Sequence, residues 1–476
     1  MSKPDVNRRT MLKLIGAAAA AQACGEAPAT DGGVTDPGPL PEGDPRNLAP
    51  DSPWVGFDDA IPAPDLYTIG VSSGDPLPDG AILISRYLGE AKLDLVWSAF
   101  VDGAWTELSR EPIVPDVDGF IHLDFVGLGP DTWHAFQFVD AEDMASPVGH
   151  FVTAIAEDST SVVHFGATSC AAQSHEAFPS LTHVLERGPL DAFFLLGDTV
   201  YCDGLPINVD AYRNLWAQNL TAPGFSEVRR GTATICTWDD HEITNNWDAE
   251  NVNPLRRDVG TQAFFENSPV RADAPDRIWR TLRYGRTAEV FVLDCRGERR
   301  PSKGEYLSRA QLNWLKKGLA ESTATWKLIC NSVPAANIEN GFWDVAIADR
   351  WEGFAEQRTE LLQHLVDNDV SGVLFVSGDV HVPWVCHLDR KEPFRRFLEV
   401  SCGPAGSFLN ILGSLIYDDD QFRWVQARWN STRLSFDYRG TASVVWVGED
   451  NQDIASCTLT ANGEILDVVM LEPIDD

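Results

Sequence analysis

Four short apolar runs along the chain each end in a polar cluster. Phe165-Gly166-Ala167 leads to Thr168-Ser169-Cys170, and Phe193-Phe194-Leu195-Leu196 leads to Gly197-Asp198-Thr199-Val200-Tyr201. Ile235-Cys236-Thr237 precedes Trp238-Asp239-Asp240-His241-Glu242, and Val373-Leu374-Phe375-Val376 precedes Gly378-Asp379-Val380-His381. Unbroken runs of this kind predict buried strands. Longer segments with helical spacing lie between them: Ser308–Lys317, with Ser308 as its N-cap, and Glu356–Val366. From Ser161 onward the pattern therefore predicts an α/β class with layered sheets and outer helices. The runs Ser443–Val447 and Ile465–Leu471 are expected to be strands closing a sheet.

Before that region the pattern differs. Residues 65–155 carry short alternating or apolar runs, such as Ala81–Tyr87, Leu93–Phe100 and Trp133–Phe138. Turn residues punctuate them at Asp75-Pro76, Pro78-Asp79-Gly80, Asp102-Gly103 and Gly129-Pro130. This spacing predicts a fibronectin- or immunoglobulin-like β-sandwich over residues 61–157, ahead of an α/β domain over 158–476.

Composition narrows the functional classes. With 476 residues, 44% of them apolar, the chain is long enough for more than one core. A formal charge of −34, spread along the sequence, argues against nucleic-acid or anionic-membrane binding. At the start, Asn7-Arg8-Arg9-Thr10-Met11-Leu12-Lys13 and the apolar stretch Leu14–Ala21 fit a twin-arginine export signal over residues 1–23. This implies passage through the twin-arginine export machinery and a periplasmic or cell-surface location. Ala21-Gln22-Ala23-Cys24 resembles a lipoprotein processing site; cleavage after alanine beside a free Cys24 is the other reading. The Pro-, Gly- and Asp-rich segment that follows, within residues 24–60, is expected to be a flexible tether. The nine cysteines contain no CxxC pair, which argues against a zinc ribbon.

The strand-end clusters bring Asp, His, Tyr and Cys together if the strands lie side by side. Asp379 and His381, at i and i+2, would share a face in extended backbone. Asp198 and Tyr201 share one loop, and Asp240 and His241 are adjacent. Only ten histidines occur, so a His-rich zinc pair is poorly supplied. One cation is expected on Cys170, Asp198, Tyr201 and His381. Thiolate and phenolate there favour a highly charged transition metal. A second, harder cation is expected on Asp198 as bridge, with Asp240 and Asp379. Such a pair suits metal-assisted hydrolysis of a phosphoester.

These motifs resemble the PhoD-type alkaline phosphatase/phosphodiesterase family of the calcineurin-like metallophosphoesterases. Leu293-Asp294-Cys295-Arg296, Gln311–Leu315, Gly70–Pro76 and Gly149–Thr153 extend the likeness over most of residues 65–440. The resemblance implies an α/β/β/α sandwich, ferric iron at the first position and calcium at the second, and a phosphoester substrate. It implies that Asp198 and Asp240 serve catalysis through the metals. His241 would contact the phosphate or leaving oxygen, or orient the carboxylates, and Arg296 would bind substrate phosphate or make an internal ion pair. A purple-acid-phosphatase-like hydrolase and a non-catalytic surface-anchored binding protein are the alternatives. Cys170, in place of an expected aspartate, argues against the former, and the full ligand set argues against the latter.

Overall fold

The computed structural model describes residues 54–172, 177–274, 276–338, 347–418 and 420–470. The signal, Cys24 and the tether up to residue 53 lie outside the described residues.

Two sheets stacked face to face form the centre of the α/β region. In the first, Val163–Thr168, Ala192–Leu196 and Thr234–Thr237 run parallel as neighbours, and Asn430–Phe436 adds antiparallel on one side. In the second, Ala288–Val292, Trp326–Asn331, Val373–Ser377 and Leu398–Ser401 are parallel neighbours. These are the apolar runs of the sequence, and every residue of Ala192–Leu196 and Val373–Ser377 is buried. Such strands have no polar face because both faces are covered.

The coverings are three separate cores. Between the sheets, Phe165, Phe194, Leu328, Trp326, Leu374 and Trp446 pack together. On the outside of one sheet, Leu312 and Leu315 of the helix Arg309–Glu321 and Leu361 and Leu365 of Ala355–Asp367 pack with Phe291 and Phe375. On the outside of the other, Leu181, Trp216, Phe225 and Phe264, from four helices, pack with Phe193 and Leu195. The order is therefore helix, sheet, sheet, helix. Ser308 caps its helix as expected, its side chain accepting from the Gln311 N–H.

The N-terminal region is all β and has its own core around Leu83, Leu95, Phe136 and Phe138. Its sheets do not stop at the boundary expected at residue 157. Tyr67–Leu77, Gly80–Tyr87 and Phe120–Val126 continue the first α/β sheet through a parallel pairing of Gly74 with Thr234, giving ten strands. Polar contacts lock the join: Arg280 grips both carboxylate oxygens of the buried Asp75, and Arg213 bonds Glu266 and Asp118. Alternation within a strand reports which face is buried and says nothing of which edge will find a partner.

Candidate metal centre

Parallel strands in both sheets end at the same rim, and each turn there presents a side chain. Cys170 follows Val163–Thr168, Asp198 follows Ala192–Leu196, Asp240 and His241 follow Thr234–Thr237, and His381 follows Val373–Ser377. Four residues of these turns, Cys170, Asp198, Asp379 and His381, hold left-handed backbone, with φ of 54°, 55°, 63° and 55°. Non-glycine residues seldom adopt this conformation, and it recurs at functional sites. Gly197, at φ 90°, precedes Asp198 because a Cβ there would lie 2.6 Å from the Asp239 Cβ.

The turns are tied to one another. Cys170 N–H donates to Gly197 O and Ala171 N–H to Asp198 O at 2.8 Å. Glu242 joins two turns, its carboxylate accepting from Thr199 N–H at 2.6 Å and Asp239 N–H at 2.9 Å.

Two sets of donors result. The candidate donor atoms of Cys170, Asp198 and His381 all lie within 4.8 Å of one another, and so do those of Asp198, Asp240 and His241. Asp198 is common to both. Tyr201 completes the first set: its hydroxyl lies 3.2 Å from Asp198 Oδ2 and 3.3 Å from His381 Nε2. All these residues except the partly buried Tyr201 are buried. The other ring nitrogen of His381, Nδ1, lies 3.0 Å from Phe408 O and 3.2 Å from Ser407 Oγ, which aims Nε2 into the cluster.

Electrostatics agree with a cation-holding role. Burial pushes the Cys170 thiol and the Tyr201 phenol well up, and the Asp198 charge adds to both. Burial also raises the Asp198 carboxyl, against the pull of His241. Buried acids that resist ionisation alone are stabilised as anions by a multivalent cation, so the donor set fits one.

His241 has a different environment. Its Nδ1 bonds Asp203 Oδ2, its Nε2 lies 3.7 Å from Asp240 Oδ1, and its ring stacks on Tyr201 at 4.1 Å. Burial opposes its charged form, but Asp240, Asp198 and Asp203 outweigh burial and push its pKa up to about 10.

For Arg296 the structure shows the internal ion pair, one of its two expected roles, and Asp379 stands apart from the two donor sets. Arg296 does not face substrate: it is 0% exposed, with Nε and Nη2 on the two oxygens of Asp239 and Nη1 2.6 Å from Asp349 Oδ1. A guanidinium behind a ligand turn neutralises the carboxylate beside Asp240, and it makes four hydrogen bonds to Asp239 and Asp349. Asp379 belongs to neither donor set. It is buried, and its charge is felt at Cys170, but the left-handed turn breaks the alternation that was to align it with His381. Sequence reasoning missed Asp203, Ser407 and the backbone of Phe408. Asp203 lies in the same loop as Asp198, five residues on, and that proximity to a ligand was the available signal.

Asp203 also accepts from Asn245 N–H at 2.6 Å, so it is fixed while it holds the imidazole. Asp203→Asn is expected to lower kcat by roughly 10- to 100-fold with little change in KM. The alkaline limb of the pH–rate profile should move to lower pH, because a negative charge that retains the His241 proton is lost. An unmoved limb would show that Asp203 does not act through His241.

Face-to-face sheets with helices outside, and a donor cluster on their shared rim, define a layered α/β protein with a candidate metal site at its strand ends. The chain belongs to the PhoD-like phosphatase family: that family's profile matches residues 165–447, and its N-terminal domain profile matches residues 57–155. Alkaline phosphatase D of Bacillus subtilis (strain 168) is 26% identical over 383 residues, which is 68% of this chain and 65% of that protein's length. A solved structure of PhoD aligns with a TM-score of 0.75 at 21% identity, covering 88% of this chain and 94% of that one. A purple acid phosphatase from yellow lupin (Lupinus luteus) seeds aligns at 0.61 and 14% identity, covering 82% and 73%. At these identities the two structures establish a common α/β fold.

Proposed function

We propose that this chain is an exported metal-dependent phosphoester hydrolase, an alkaline phosphatase/phosphodiesterase with a mixed-metal centre. The observation that carries the reading is the sharing of Asp198 by two donor sets, since a bridging carboxylate holds two cations close together. Cys170, Tyr201, His381 and Asp198 would hold ferric iron, because thiolate and phenolate suit a highly charged transition metal. Asp198 and Asp240, with Asp379 reaching in from its turn, would hold calcium. When bound, the cations supply Lewis acidity toward water and the phosphoryl oxygens.

The protein's own part is proton supply and orientation. His241 is fixed at Nδ1 by Asp203 and presents Nε2 toward the cluster. The Asp203 carboxylate on Nδ1 favours the protonated imidazole. As the water oxygen bonds to phosphorus and the ester P–O bond breaks, His241 gives its proton to the leaving oxygen. Twin-arginine export to the periplasm or cell surface, with a lipid anchor at Cys24, belongs to the same reading and rests on residues 7–24. The N-terminal β region is read as an immunoglobulin- or fibronectin-like domain that supports the catalytic sheet.

Purified protein is expected to hydrolyse 4-nitrophenyl phosphate or its bis-ester, to lose activity on chelation and to regain it with calcium. Elemental analysis should find iron, and a visible charge-transfer band should disappear in Tyr201→Phe. Hydrolysis of neither ester under any metal condition would sink the enzymatic reading. A colourless, iron-free and fully active sample would sink the roles of Cys170 and Tyr201.

A further inference from the structure

Between Glu399 and Asp418 the chain carries no charged residue, in a protein where 23% of residues are charged. The latter part of this stretch lies against the metal-ligand turn. Asn410 N–H donates to His381 O at 3.0 Å, and Asn410 Nδ2 donates to Val380 O at 3.1 Å. Gly413 sits so close to Val382 that a Cβ there would lie 2.6 Å from its side chain. The Phe408 ring contacts the His381 ring, with centroids 4.1 Å apart and planes at 60°. Ser407–Tyr417 is thus clamped beside a ligand, and it still leaves apolar side chains in solvent: Phe408 at 49%, Ile411, Leu415 at 65% and Tyr417.

Large apolar groups left exposed on a segment braced against a metal-ligand turn mark a place where a ligand is covered. The flanking chemistry limits what that ligand can be. Arg296 is buried and committed to Asp239 and Asp349, and the stretch itself has no cation to meet a second phosphate. We propose that Ser407–Tyr417 forms an apolar subsite for the alcohol portion of the ester, with Phe408 as its specificity-determining residue. The preferred substrate is then a phosphate ester of an uncharged, apolar alcohol. This rests on the phosphoester reading above.

The test uses n-alkyl phosphates from ethyl to hexyl, whose leaving alcohols have nearly equal basicity, so that chain length alone varies. In the unmodified protein kcat/KM should rise roughly tenfold from ethyl to hexyl phosphate, for methylenes covered on one side. Phe408→Ala should cut that ratio to about twofold. Ile411→Ser should reduce it to a smaller degree, which guards against a disturbance of His381 by the first change. Sedimentation velocity on the same samples examines the rival occupant, a second copy of the chain. Equal kcat/KM for ethyl and hexyl phosphate, or variants that lower both esters by one factor, would overturn the subsite while leaving the hydrolase intact. A variant that alters the mass with an unaltered ratio would assign the face to a dimer instead. Failure to hydrolyse any ester would remove the subsite and the hydrolase reading together.

Discussion

On the two-cation reading, Asp198→Asn is expected to lower phosphoester hydrolysis by about four orders of magnitude and to strip both cations, since one carboxylate would serve both. The amide keeps the volume and one acceptor, so the buried rim stays packed. What is lost is the negative charge at the point where the Cys170–His381 and Asp240–His241 sets meet. The backbone is less affected: the His241 N–H, 3.3 Å from Asp198 Oδ1, still finds an oxygen. Metal content per chain and kcat should therefore fall together at an unchanged melting profile of the apoprotein. Asp379→Asn should cost less than Asp198→Asn, because Asp379 lies in neither set. A variant at position 198 that retains two cations would end the bridging assignment.

Arg296→Met is the second large effect, and it falls on stability. The side chain is fully buried between Asp239 and Asp349, and methionine fills much of its volume without charge. Asp349 keeps Arg299, at 2.8 Å, whereas Asp239 is left with the Ser332 hydroxyl and no cation. Stranding a buried carboxylate costs roughly 3–5 kcal/mol. Thermal denaturation should show a midpoint lower by roughly 3–6 °C. Assayed at low temperature, the folded fraction should keep its KM, since Arg296 is fully buried between Asp239 and Asp349. A raised KM at unchanged stability would restore the phosphate-binding role that burial removes.

Much of the site was legible because buried parallel strands write themselves as apolar runs, and a chain leaving such a strand is exposed at the rim. Cys170, Asp198, Tyr201, Asp240, His241 and His381, picked out by residue type and position, come together on that rim. Asp379 was assigned by alternation, which presumes extended backbone, and a turn with positive φ voids the presumption. Arg296 was left with two roles because a guanidinium near a ligand motif reads alike whether it faces substrate or a hidden aspartate. Asp239 and Asp349 reach it only when distant segments pack. Asp203 and the Ser407–Phe408 pair escaped for the same reason, since their partners His241 and His381 come from other turns. The joining of the N-terminal strands to the catalytic sheet depends on an edge contact at Gly74, and no pattern within either strand announces it.

The twisted turns at Cys170, Asp198, Asp379 and His381 set robustness against chemistry. Each costs of order 1 kcal/mol relative to glycine at the same place, least for aspartate and histidine, which tolerate that geometry better than cysteine does. A screen that rewards heat tolerance alone will therefore be drawn to glycine at these four positions, and every success there would delete a group from the rim. Thermal hardening of this protein has to be sought in its helices and outer loops, with the tense corners of its centre left untouched.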